Sequence, residues 1–92
     1  MALKSFEIKR ENEKLLRVAV DVVDGALRSL ELSGDFFIHP EEGVETLQAR
    51  LIGLPPDEKV LAPVIKRCLA ENAIELVGLS AATIAAAIAR AR

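Results

Sequence analysis

The sequence predicts an α+β domain, a small antiparallel meander of two or three strands covered on one face by three helices. Three observations point there. Leu16, Val18, Val20 and Val22 recur at period two, the mark of a half-buried strand. From Val44 onward the apolar residues recur at helical spacing instead. Between the two regimes lies Gly34-Asp35-Phe36-Phe37-Ile38-His39-Pro40-Glu41-Glu42, a junction with a turn glycine and a helix-start signal.

Taken in order, Phe6 and Ile8 make a short alternating segment that reads as an edge strand. The charged run Arg10-Glu11-Asn12-Glu13-Lys14 then breaks it. The strand over 16–23 leads through Asp24-Gly25 into Ala26–Leu32, so a hairpin is expected. A two-residue loop would set Val18 opposite Glu31 and mix the faces. A three-residue loop over Val23-Asp24-Gly25 sets Val18 opposite Leu30 and Leu16 opposite Leu32, which favours that register.

At the junction, Phe36 and Phe37 point to opposite faces if the chain is extended. One is expected in the core and the other at the surface or a partner. Pro40 presets φ for a first helical turn, and Glu41 and Glu42 suit the positive end of its dipole. Val44, Leu47, Leu51 and Ile52 mark that helix's apolar face, and Gly53 ends it. After the connector Pro55-Pro56-Asp57, a second stripe runs through Val60, Leu61, Val64, Ile65, Cys68 and Leu69. Pro63 within it should either kink the helix or mark its first turn. Ile74 and Leu76 alternate briefly, and Gly78 turns the chain. Leu79, Ser80 and Ile84 fit a hydrophobic staple around an N-cap. The Ala-rich end from Ala81 has high helix propensity, and Arg90 and Arg92 suit its negative end. Leu51-Ile52-Gly53-Leu54-Pro55 echoes Leu76-Val77-Gly78-Leu79-Ser80; each reads as a stop glycine and an apolar anchor before the next helix.

The 92 residues, 1–92, read as a single domain with one modest core. Hydrophobic residues at 51% against 28% charged exclude a disordered chain. Only 3% are aromatic, so Val, Leu, Ile and Ala must build the core. A net charge of -2 supplies no basic footprint for nucleic acid and no cationic face for a membrane. The start Met1-Ala2-Leu3-Lys4 lacks the apolar core of a secretory signal, so the cytoplasm is the expected location.

No residue pattern spells out a catalytic centre. His39 has no cysteine or serine partner at a recognisable spacing and reads as a helix-start residue. Cys68, the one cysteine, sits in an apolar stripe and reads as a small core hydrophobe. The scattered glycines make neither a phosphate loop nor a dinucleotide fingerprint. Asp35 reads as a turn residue, and Lys14 and Arg17 as residues flanking the first strong strand.

Four stretches, however, resemble the accessory domain of lipoate–protein ligases. They are Lys14-Leu15-Leu16-Arg17-Val18, the hairpin at Asp24-Gly25, Gly34 through Glu42, and Leu76-Val77-Gly78-Leu79-Ser80. The resemblance covers nearly the whole chain, and Gly34-Asp35-Phe36-Phe37 ahead of Pro40-Glu41-Glu42 is its most specific part. It implies an α+β fold similar to that of iron–sulfur scaffold and sulfur-transfer proteins, without their chemistry. In many such ligases this domain follows the catalytic domain in one polypeptide. In some archaeal-type systems it is a separate small protein, and this chain, with Met1 directly before its first strand, resembles that form. The implied partner is a large catalytic subunit that binds ATP, Mg and lipoate, none of them bound by this chain alone. The implied role is support of lipoyl-adenylate formation, before lipoyl transfer to a lysine of a carrier protein. Lys14 matches the family's lysine; Arg17, Asp35, Phe36, Phe37 and His39 are expected to complete the interface or active site around it. The family has glycines just before that lysine, where Asn12-Glu13 stand here. Asn accepts left-handed backbone, whereas Glu does not readily do so. Two other roles fit the residues: an iron–sulfur or sulfur-transfer scaffold, which would need more cysteines or a reachable thiol, and a homodimeric interaction module.

Overall fold

The computed structural model describes residues 3–91; Met1, Ala2 and Arg92, and the readings placed on them, lie outside it. Strands β1 (Lys4–Ile8), β2 (Leu16–Val23) and β3 (Ala26–Gly34) form an antiparallel sheet in the order β1-β2-β3. Phe6 faces Val18 and Ile8 faces Leu16, so these four side chains share one face of the sheet. Leu16, Val18 and Val20 are buried on that face, and Arg17 points out on the other.

The hairpin overturns the favoured three-residue loop: it has the two-residue loop, whose register holds only for the pairs next to the turn. Only Asp24 and Gly25 form the loop, at φ 53° and 78°, the left-handed pair of a two-residue hairpin. Val23 faces Ala26 and Val22 faces Leu27, and the register then shifts so that Val20 faces Leu30 and Val18 faces Leu32. Arg28 is the extra residue of a β-bulge. The reason lies in the spacing of the leucines. Leu27 and Leu30 are three residues apart and would face opposite sides of a regular strand. The bulge turns both inward, leaving them 1% and 5% exposed.

A second, two-stranded antiparallel sheet joins β4 (Phe37–His39) to β5 (Glu75–Val77), with Phe37 opposite Val77, Ile38 opposite Leu76 and His39 opposite Glu75. Ile38 and Leu76 pack against the core; the other four residues are exposed.

Three helices cover the inner face: α1 (Gly43–Leu51), α2 (Glu58–Glu71) and α3 (Ala81–Ala91). Pro40 does not form the first turn of α1. It follows a cis peptide bond after His39, and its carbonyl accepts the Gly43 N–H at 2.9 Å in a turn ahead of the helix. The helix begins at Gly43, whose backbone lies against Ile74 and Ile38, where a Cβ would be crowded. Leu47 and Leu51 are buried as expected, but Ile52 is 42% exposed. It follows the last turn in extended conformation and leaves the helix face.

Asp57 belongs to α2 rather than to the connector alone, since its carboxylate accepts the Lys59 N–H at 2.9 Å as an N-cap. Pro63 therefore does not start α2, which runs on past it to Glu71. Leu61, Ile65 and Cys68 face the core, fully buried.

Helix α3 lies against β1, β2 and α2. Thr83, Ile84, Ala85, Ala86, Ala87 and Ile88 are all at most 1% exposed, so it is buried almost all round. Ser80 caps it: its Oγ accepts the Thr83 N–H at 3.2 Å, and its carbonyl accepts the Ile84 N–H. Leu79 and Ile84 join the same apolar core, as the staple requires. Ser80→Ala is expected to lower stability by about 1 kcal/mol. The check is the urea midpoint at constant slope; an unmoved midpoint would show the cap to be dispensable.

The echo between the two glycine stretches survives as backbone geometry. Gly53 and Gly78 have φ 92° and 94°, but Gly53 follows a helix and Gly78 a strand.

Candidate functional site

Lys14 lies in the loop between β1 and β2, where one contact fixes its backbone and another confines its side-chain stem. Its N–H donates to the Gly78 carbonyl at 2.7 Å. Its side-chain stem crosses Gly78 so closely that a Cβ there would meet Lys14 Cγ at 2.6 Å. Only glycine leaves that space, and its φ of 94° is one that other residues rarely adopt.

The residue before Lys14 secures the loop from its other side. The buried Thr83 hydroxyl donates to Glu13 Oε1 at 2.5 Å. With its proton committed there, Thr83 Oγ1 accepts from Ser80 Oγ at 3.0 Å and from Arg10 Nη1 at 3.4 Å. The Glu13 carboxylate thus sits at the amino end of α3, where negative charge is favoured. The left-handed position of this loop falls on Asn12, at φ 66°, and not on Glu13. Asn12 therefore takes the left-handed position a glycine would take, and Glu13 adds an anchor that a glycine could not.

The junction segment runs alongside. Gly34 packs directly on the Leu15 carbonyl, and the Asp35 N–H donates to that oxygen at 3.0 Å. Phe36 lies next to Gly78 and packs half-buried against the core. Neither phenylalanine is fully buried, which corrects the expectation of one wholly in the core: Phe36 lies in the loop before β4 and only packs against the core from there. Phe37 is 71% exposed and stands beside Val77, itself 48% exposed, on the outer face of the β4–β5 ribbon. His39 and Glu75 occupy the next positions of the same face, both exposed.

The structure thus brings Lys14 and the Phe36 backbone to Gly78, with Asp35 bonded to the neighbouring Leu15 and Phe37 and His39 further along the ribbon. Arg17 is not part of this group. It lies on the open face of the main sheet, where both Nε and Nη2 donate to Glu7 Oε2, at 3.1 and 2.7 Å. With both side chains about half exposed, that pair contributes at most about 1 kcal/mol. Among the described residues Lys14 forms no ion pair, so its ammonium is available. Gly78 against its stem and Thr83 bonded to Glu13 complete the surroundings of Lys14, roles that the sequence does not assign to them. A glycine at the end of a strand and a Thr at the third position of a helix are too common to signal such a role.

Cys68 is fully buried, and its sulfur receives only the Asn72 amide, at 3.6 Å. A thiol so placed is closed to a sulfur donor in the folded chain. Among the described residues no three His, Cys, Asp or Glu side chains are grouped to hold a metal ion. None of the described helices is long and apolar enough to cross a membrane.

No protein-family pattern matches this chain, and no curated protein matches it. The fold does have a solved counterpart. A chain from a structural analysis of an archaeal lipoylation system, a bi-partite lipoate protein ligase and its E2 lipoyl domain from Thermoplasma acidophilum, superimposes with a TM-score of 0.78. The match covers 95% of this chain and 94% of that one at 22% sequence identity. The two chains share a fold from end to end.

Proposed function

We propose that the chain is a non-catalytic accessory subunit of a two-part lipoate–protein ligase. It docks on a large catalytic subunit that binds ATP, Mg and lipoate, and it is required for lipoyl-adenylate formation. The near-complete overlap with a chain from a bi-partite lipoylation system carries this reading. The packing of the Lys14 stem on Gly78, next to the strand that carries Val77 opposite the exposed Phe37, supports it. Within that complex Lys14 is the cation offered to the adenylation centre. Phe37 and Val77 form the apolar part of the docking face, and a lipoyl-carrier domain is met only through the large subunit.

The test is lipoate-dependent pyrophosphate exchange by the purified chain, the large subunit and the two together. Activity is expected only from the pair. A large subunit as active alone as in the mixture would overturn the reading. Light scattering of the chain with and without the large subunit separates a heterodimer from a homodimeric module.

Phe37→Ala is expected to weaken subunit binding by about 2 kcal/mol or more, the loss typical of an aromatic anchor. With its ring mostly in water, thermal unfolding should stay almost unchanged. Phe36→Ala should cost stability, about half the 3–5 kcal/mol of a fully buried Phe. Titration calorimetry and thermal melts on both variants check the split; a Phe37 variant that binds at full strength would remove it from the interface.

A further inference from the structure

The edge of β3 remote from β2 is covered at two places and open between them. Near its start, the Leu27 N–H donates to the Leu54 carbonyl and the Leu27 carbonyl accepts the Gly53 N–H, both at 2.8 Å. Further along, the Leu32 N–H donates to Gln48 Oε1 at 2.9 Å. Leu30 is two residues before Leu32 and shares its parity in the ladder, so its N–H and carbonyl also point away from β2. Neither has a partner among the described residues. Leu30 also lines an open groove of about 570 Å³ between β3 and α1.

Its lining is part apolar and part acidic: Ala49, Ile52 and Leu3 on the one hand, Glu31 and Glu45 on the other. No lysine or arginine lines the groove. Ile52 and Leu3 are 42% and 48% exposed, large apolar side chains left in water at the mouth of an unpaired strand edge. The groove shares no residue with the surface around Lys14 and Gly78.

We infer that this groove is a second docking site, for an extended protein segment with alternating basic and apolar residues. The segment adds as a short strand to β3. Main-chain bonds to Leu30 N–H, Leu30 C=O and Leu32 C=O supply the pairing, and an apolar side chain covers Ile52. The two carboxylates select positive charge in the segment and disfavour acidic ones. The inference does not depend on the ligase reading, since it rests on the edge and the charge of the groove alone.

The test follows backbone amide resonances of the full chain by NMR during titration with an acetylated, amidated Lys-Val-Lys-Val-Lys peptide and with its Glu-Val-Glu-Val-Glu counterpart. The basic peptide is expected to shift Leu30, Leu32 and Ile52 saturably and to slow hydrogen exchange of the Leu30 amide at least tenfold. The acidic peptide is expected to leave them in place. Glu31→Lys with Glu45→Lys should reverse the preference. Ile52→Asp, a change at an exposed position that leaves the fold intact, should weaken the basic peptide at least fivefold. Equal shifts from both peptides, no shift at Leu30, or the same shifts produced by raising the chain's own concentration would each overturn it.

Discussion

Lys14→Ala, assayed in complex with the large subunit, is expected to slow lipoyl-adenylate formation by about two to three orders of magnitude. Transfer of preformed lipoyl-adenylate to the carrier lysine, and formation of the complex, should change little. In adenylation, negative charge develops around the α-phosphate and pyrophosphate. A donor aimed there and shielded from water contributes about 2.7–4 kcal/mol, the source of the expected factor. Lys14 suits that task because its backbone is held while its ammonium is not. The Gly78 carbonyl fixes its N–H, Gly78 leaves room for its stem, and Glu13 pins the loop to Thr83. Among the described residues no carboxylate competes for the charge. A docked subunit would then deliver a cation in a set position, with little ordering left to do when the substrates bind. Acyl transfer has no such growing charge on phosphate, so the two half-reactions should respond differently. An ordinary surface lysine would leave both rates unchanged, and equal rates for wild type and variant in separate half-reaction assays would refute the role.

Ile84→Ala should produce the largest loss of stability, about 2–5 kcal/mol. Ile84 is fully buried in a helix whose neighbours Ala85, Ala86 and Ala87 are fully buried as well. Alanines have no rotamers with which to fill a cavity, and α3 is held by the sheet on one side and α2 on the other. The site therefore relaxes poorly, which places the cost toward the upper part of the range. For a domain of this size each kcal/mol moves Tm by about 4–8 °C, so the melt should fall by at least about 8 °C. Ile52→Ala is the matched control, since Ile52 is largely exposed and its loss should stay within about 0.5 kcal/mol. Equal melting temperatures for the two variants would show that α3 does not organise the core.

Much of the candidate site could be found in the sequence as residues but not as a surface. Lys14, Asp35, Phe36 and Phe37 stand out through the motif they resemble, and the consecutive phenylalanines announce their split. Nothing in that pattern brings Lys14 to Gly78, because the contact joins a loop near one end of the chain to a strand end near the other. Arg17 illustrates the converse. Three residues from Lys14 in sequence, it is carried by the strand onto the open sheet face and into a pair with Glu7.

By itself the sequence determined the inward face of β2, the three helices and the cap at Ser80, because each is written in a local period or in a side chain that bonds a neighbouring backbone group. Tertiary structure decided the rest. The bulge at Arg28 exists because Leu27 and Leu30 both gain by leaving water, a demand set by the core beneath β3 and not by the strand's own alternation. The β4–β5 pairing joins two three-residue strands, each too short to show a period and distant from the other in sequence. Glu13 reads as one more charge in a polar loop until the fold brings the amino end of α3 beneath it. Local periodicity reports which face of an element is apolar; which elements meet is fixed only when burying those faces together outweighs the entropy of closing the loops between them.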